Sequence, residues 1–278
     1  MMRRMHARSA SPAQPAQPAR RVLWPAVAVG LLCGGVASFP AAWVAQGLAS
    51  ASKGQVLLTD AQGSLWQGHA RLVLSAGAGS RDAIALPGQV HWSLRPHGLG
   101  LKLDLSSDCC SQGATQILIQ PGWRQTDLHV QGAEGAEARW QLPSSLLAGL
   151  GTPFNTLKLQ GDVRWQSQGW HLSHVRGGGW IQSGGWQLEL NEMRSAVSPL
   201  PILGSYQLRW TAQPDASARI ELQSQRGPLL LQGQGEWRDG RTHFQGSASA
   251  EEGAQENLNN LLNIIGRREG ARSVITLG

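Results

Sequence analysis

The sequence predicts an all-β domain, built as an antiparallel meander, behind one N-terminal transmembrane helix. Three observations predict it. Apolar and polar residues alternate with period two through much of the chain, as in Leu99-Gly100-Leu101-Lys102-Leu103-Asp104-Leu105 and Trp186-Gln187-Leu188-Glu189-Leu190. That alternation is the mark of a half-buried strand. Residues 22–52 carry no charged side chain. Finally, the 278 residues include 35 glycines and only 15 % charged side chains, against about 25 % charged in an ordinary soluble domain. A long coiled coil or helix bundle is excluded on those figures, and the abundance of Leu, Val, Ile and Trp excludes disorder throughout.

The first segment, residues 1–21, is a basic disordered tail. It holds Arg3, Arg4, Arg8, Arg20 and Arg21 and no acid, and Ser9–Ala19 is a Ser/Pro/Ala/Gln stretch unable to bury a core. The formal net charge of +6 therefore sits mostly in this tail. The remainder is close to neutral, which excludes a nucleic-acid-binding surface. A transmembrane helix is predicted over residues 22–45. Trp24 and Trp43 bracket roughly 28 Å of helix, close to the ~30 Å hydrocarbon thickness, in the manner of an aromatic belt. Pro40 falls late in the run and kinks or ends that helix. All the nearby arginines precede the span, so the N-terminus is expected in the cytoplasm and the large C-terminal part outside. The alternative is a signal peptide cleaved after Ala49-Ser50-Ala51. The apolar run is about twice the length of a signal h-region, which favours an uncleaved anchor.

Residues 53–278 form the β-rich domain. Strands are expected at 55–59, 65–74, 89–94, 99–105, 115–120, 127–131, 157–160, 186–190, 206–211, 218–223, 229–234, 242–248 and 274–277. Gly-containing turns separate them, Arg238-Asp239-Gly240-Arg241 being a good hairpin signal. Short helices interrupt the pattern near 143–150, where Pro143 starts and Gly151 stops the segment, and at 251–265. In the second, Leu258, Leu261, Leu262 and Ile265 fall on one helical face. The residues themselves do not decide between a barrel, a sandwich and an open sheet.

No nucleophile elbow, phosphate-binding loop or dinucleotide fingerprint is present. His171 and His174 lie three apart and point to opposite faces of a strand. His91 and His97 are separated by Pro96 and a turn. No Cys, Asp or Glu falls at ligand spacing from either pair, so no metal site is expected. Asp104/Asp108 and Glu189/Glu192 are pairs in sequence only. Cys109 and Cys110 are adjacent and bridge each other only through a distorted peptide. The expectation is two free or intermolecularly oxidised thiols in a loop, with a redox switch as the alternative. Trp recurs at strand positions, filling a shallow β core or rimming an apolar groove; stacking on sugars is the other reading of the same excess. No catalytic residue, metal or cofactor is expected.

An ordered set of short motifs resembles a known family. It runs through Gly63-Ser64-Leu65-Trp66-Gln67-Gly68, then Trp92-Ser93-Leu94-Arg95-Pro96 with Leu99 after it, Leu159-Gln160-Gly161, Leu203-Gly204-Ser205-Tyr206-Gln207-Leu208 and Leu231-Gln232-Gly233-Gln234-Gly235. It ends with Leu261-Leu262, Gly266-Arg267-Arg268 and a final strand. With the basic tail and single anchor, this set is similar to the type II secretion system protein N family (general secretion pathway protein N, GspN) of Gram-negative bacteria, over nearly all of residues 20–278. The extension before the anchor and the Cys109-Cys110 pair depart from the family pattern.

The resemblance implies a single-pass inner-membrane protein with its β domain in the periplasm. It implies a non-enzymatic accessory part of the machine that exports folded proteins across the outer membrane, working through contacts with other secretion subunits. The shape is also similar to AsmA-like proteins, whose curved open sheets form grooves for lipid. A lipid-handling groove is therefore the alternative function, with Leu99, Leu101, Leu103 and Leu105 lining an open trough. A glycan-binding module is a weaker one. Beyond Trp24 and Trp43 as membrane anchors, the residues assigned to interaction or groove are Gly63, Leu65, Trp66, Gly68, Trp92, Leu94, Pro96, Gly204 and Tyr206.

Overall fold

The computed structural model describes Gly34 and residues 38–278. The basic tail, Trp24 and most of the expected transmembrane segment lie outside the described residues. Among those described, no helix is long and apolar enough to cross a membrane. The last part of the charge-free run forms helix α1 (Ala41–Ala51), which starts after Pro40. Pro40 is extended (φ −66°, ψ 145°) and lacks an N–H, so it serves as the entry to a helix and not as its interior.

The rest is one antiparallel sheet of sixteen strands. The first half comprises β1 (Val56–Gly63), β2 (Gln67–Ser75), β3 (Ala83–Ala85), β4 (Val90–His97), β5 (Gly100–Ser107), β6 (Thr115–Pro121), β7 (Gln125–Gly132) and β8 (Ala138–Pro143). The second comprises β9 (Gln160–Val175), β10 (Trp180–Arg194), β11 (Gly204–Ala212), β12 (Ala218–Arg226), β13 (Leu229–Arg238), β14 (Arg241–Ala250), β15 (Arg267–Glu269) and β16 (Arg272–Leu277). The order is that of a meander, with β3 paired beside β2, β8 beside β9, and β16 inserted between β14 and β15. The sheet does not close on itself; β1 and β15 are its edges. Long β9 accepts two neighbours along one side. Its first half pairs with β8 and its second with β7, and a bulge before Gly169 separates the two stretches.

Register and alternation assign most apolar strand positions to one face, with Leu57, Val73 and Leu118 among the exceptions. Leu58, Leu72, Trp92, Leu105, Leu103, Ile117, Val130, Trp170, Leu190, Tyr206, Leu222 and Leu231 all point the same way. The helices cover only parts of it. Helix α3 (Gln255–Ile265) buries Leu258, Leu261 and Leu262 against Tyr206, Leu229 and Ala248. A 3-10 turn, Ser144–Leu150, sets Leu146 against Leu86 and Cys110. Ala41 of α1 packs with Ala70 and Trp92. Each Leu buried in this way contributes roughly 1.5–3 kcal/mol.

Most expected elements are present with shifted ends. Asp239 and Gly240 both take positive φ (50° and 79°), as a two-residue hairpin turn requires. Four expectations need correction. Leu157 does not open a strand: it closes the short helix α2 (Phe154–Leu157), Lys158 is left-handed, and β9 begins at Gln160. Leu99 is not part of β5 but stands fully exposed in the β4–β5 turn. Strands β3, β8 and β15, and β9 beyond Gln160, lie outside the expected strand ranges. Cys109 and Cys110 are bonded to each other, against the expectation of separate thiols. The pair sits in the loop between β5 and β6, where Cys110 is buried and Cys109 exposed.

Candidate functional site

Two motif segments far apart in sequence form one local assembly. Strands β1 and β2 meet in the turn Ser64–Trp66, closed by Ser64 N–H donating to Gln67 O at 2.8 Å. Gly63 takes φ 92°, and a side chain there would place its β-carbon 2.8 Å from the Gly68 α-carbon. Gly68 pairs with Trp92 across β2 and β4. With no side chain on Gly68, the Trp92 indole lies directly over the backbone. The indole Nε1–H then donates to Ser64 O at 3.1 Å, and Leu94 N–H donates to Trp66 O at 2.7 Å. Ser64 also bridges Pro40, where the chain enters α1. The motif thus ties the entry helix to the sheet.

The residues assigned to interaction divide by burial. Trp92 and Gly68 are buried; Leu65, Trp66 and Leu94 are half-buried; Gly63 and Pro96 are exposed. Gly204 and Tyr206 sit far along the sheet, under α3. The Tyr206 hydroxyl donates to Leu229 O at 3.0 Å, and burial holds its pKa well above the usual phenol range. A β-carbon on Gly204 would stand 2.8 Å from that hydroxyl oxygen. The structure therefore brings Gly63, Leu65, Trp66, Gly68, Trp92 and Leu94 together and leaves Gly204 and Tyr206 as a separate packing unit. Trp43 lies on α1 and is exposed.

Between the covered parts, the apolar face is open. Leu101, Leu103, Ile117, Ile119, Leu128, Val130 and Leu172 are all half-buried on adjacent strands. The main helix contacts with the sheet are α1 on β1, the 3-10 turn on β2, β3 and β9, and α3 on β14–β16, so β5, β6 and β7 are not among the strands that the helices contact closely. Leu101, Leu103 and Leu105 were foreseen on this face. The β6 and β7 positions were foreseen only as strands; the alternation Gln116-Ile117-Leu118-Ile119-Gln120 carried the signal, but cross-strand register is needed to align them.

The opposite face is polar and holds a cluster that only strand pairing reveals. Asp127 Oδ1 accepts from Ser173 Oγ and lies 3.2 Å from His171 Nε2. The His129 and His171 rings stack at 3.9 Å and 16°. The Ser173 hydrogen bond, then those from Gln125 and His171, hold the Asp127 carboxyl below its usual range. Burial, then the neighbouring His171, lowers the pKa of His129. Ser173 is buried and spends its hydroxyl on Asp127, so this is no nucleophile–base pair. His174 leaves the cluster for the other face, against Trp180. Among the described residues no group of three or more His, Cys, Asp or Glu is placed to hold a metal ion.

The architecture is an open antiparallel sheet whose motif residues join the entry helix to the sheet. The chain belongs to the family described as Type II secretion system (T2SS), protein N, whose model matches residues 54–275. Membership supports an accessory role in type II secretion and implies contacts with other components of that system. Neither curated proteins nor solved structures yield a match.

Proposed function

We propose that the chain is a non-enzymatic accessory subunit of type II secretion, anchored in the inner membrane by the segment around Trp24–Trp43, with its β domain in the periplasm. It acts by protein–protein contact and uses no cofactor. The family match over residues 54–275 carries the reading. The uncovered face supplies a surface for it: half-buried Leu101, Ile119 and Leu128 present apolar area that a partner subunit would bury.

The test is a photo-crosslinking amino acid at positions 66, 101, 119 or 128 in living cells, with adducts identified by mass spectrometry. Adducts to secretion subunits are expected. Predominantly lipid adducts at 101, 119 and 128 would replace this reading with a lipid-handling groove, which the same open face would also serve.

A further inference from the structure

The meander places alternate turns at one end of the sheet. The chain enters the sheet unit at that same end, through Pro40 bridged to Ser64. Next to the Ser64–Trp66 turn comes the β4–β5 turn, closed by His97 paired with Gly100 and tipped by fully exposed Leu99. Beside it is the β6–β7 turn, closed by Pro121 paired with Thr126, where Trp123 is 87 % exposed. The β9–β10 turn follows, joined by Arg176 N–H donating to Arg124 O at 2.8 Å. Leu99 and Trp123 are the two most exposed large apolar side chains among the described residues. Exposed Arg95, His97, Arg124 and Arg176 flank them, and residues 63–67, 95–99, 121–125 and 175–179 contain no acid. The Asp239 carboxylate reaches the β9–β10 turn, where a β-carbon on Gly179 would stand 3.0 Å from its Oδ1, and so bounds the acid-free stretch on that side; Asp215 lies in the β11–β12 turn, bridged by Arg238 at 2.7 Å.

We propose that this end is a membrane-docking rim: Leu99 and Trp123 insert into the headgroup region of an anionic bilayer while Arg95, Arg124 and Arg176 contact its phosphates. The inference rests on the anchored reading above and deepens it. Two features select a bilayer as the occupant. The charge-free run 22–52 passes through Pro40, which is bridged to Ser64 at this end of the sheet, so the chain before it joins the sheet unit there. The chemistry of the tips is that of the interface, an indole and a leucine for the acyl boundary and arginines for phosphate. The rim would hold the sheet upright on the membrane and fix which way its open face looks.

The experiment uses the full chain, reconstituted in vesicles of phosphatidylethanolamine and phosphatidylglycerol, with a photo-crosslinking amino acid at 99, 123, 150 or 230. Leu150 and Leu230 are exposed controls toward the opposite end. Lipid adducts are expected at 99 and 123, several-fold above 150 and 230. Arg124→Glu with Arg176→Glu is expected to lower them about tenfold or more, since each arginine at an anionic surface contributes a factor of about five. A chain that does not float with the vesicles would overturn both the anchor and the rim. A chain that floats, but crosslinks equally at all four positions, overturns the rim alone. Crosslinks from 99 and 123 to protein in cells, without lipid, would also overturn it and make the tips a subunit contact.

Discussion

The Trp92 indole occupies the space that a side chain on Gly68 would need. A β-carbon on Gly68 would lie 2.9 Å from Trp92 Cε2 and 2.6 Å from Gln62 O. Backbone sets one side of that clash, so relaxation is limited. Gly68→Ala is expected to destabilise the sheet by about 1–3 kcal/mol, the range for overpacking. Trp92→Ala is expected to cost about 3–5 kcal/mol by emptying the site. Half-buried Trp66→Ala should cost less than Trp92→Ala. Urea unfolding of the full chain in detergent measures all three. A Gly68→Ala midpoint equal to wild type would show that the indole moves aside freely.

Tyr206 makes a second packing unit with Gly204. Tyr206→Phe removes the donor to Leu229 O and leaves a buried carbonyl unpaired, at an expected cost of about 1–3 kcal/mol. Burial raises the phenol pKa in the folded state. The folded protein therefore resists ionisation that the unfolded chain undergoes near pH 10, and stability is lost as pH rises past that value. Tyr206→Phe should flatten the alkaline part of the stability–pH curve. An unchanged alkaline limb would place the relevant titration elsewhere.

Acid should weaken the stacked histidines. The pKa of His129 is lowered in the folded state, so its stabilising contribution is complete above about 6.5 and is lost as pH falls through the folded value. Asp127 is also lowered, so its contribution is complete above the ordinary carboxylate value and is lost only as pH falls below it. The groups facing His129 are His171 and Asp127, with Ser173 and Gln125 completing the cluster. Thermal midpoints should therefore fall from pH 7 to 5 in wild type and fall less in His129→Gln. Parallel declines would exclude the pair as the cause.

Where strands kept one phase, their positions were legible: 99–105, 115–120 and 186–190 all mark real strands. β9 shows no continuous alternation in the sequence because its phase changes within it. Val163 and Trp165 share a face with Trp170 and Leu172 only because the bulge before Gly169 shifts the alternation by one. The Leu157–Gln160 stretch alternates as a strand does, yet Leu157 ends a helix whose left-handed Lys158 stop leaves no mark in hydropathy. The motif residues were found, but not their use. Nothing local shows that Trp92 lies over Gly68, since the contact depends on β2 pairing with β4. Adjacency argues against a Cys109–Cys110 bridge in sequence terms, whereas the loop between β5 and β6 holds the two bonded.

The contrast between Leu258 and Ile119 tests whether the middle of the apolar face is open. Leu258 is completely buried under α3 against the far end of the sheet. Ile119 points to the same face of the sheet, is half-buried, and lies on β6, away from the strands that the helices contact. Leu258→Ala removes a closed contact and leaves a cavity, for an expected loss of about 2–5 kcal/mol. Ile119→Ala leaves a surface that water already reaches, so its cost should be near 1 kcal/mol. Equal losses would mean that the chain itself covers β6, and no partner would find apolar surface there. With the expected inequality, Ile119→Asp separates folding from binding. The fold should tolerate it, because the carboxylate can remain hydrated, whereas subunit crosslinks from position 101 should fall several-fold as the new charge is driven into a partner's apolar surface.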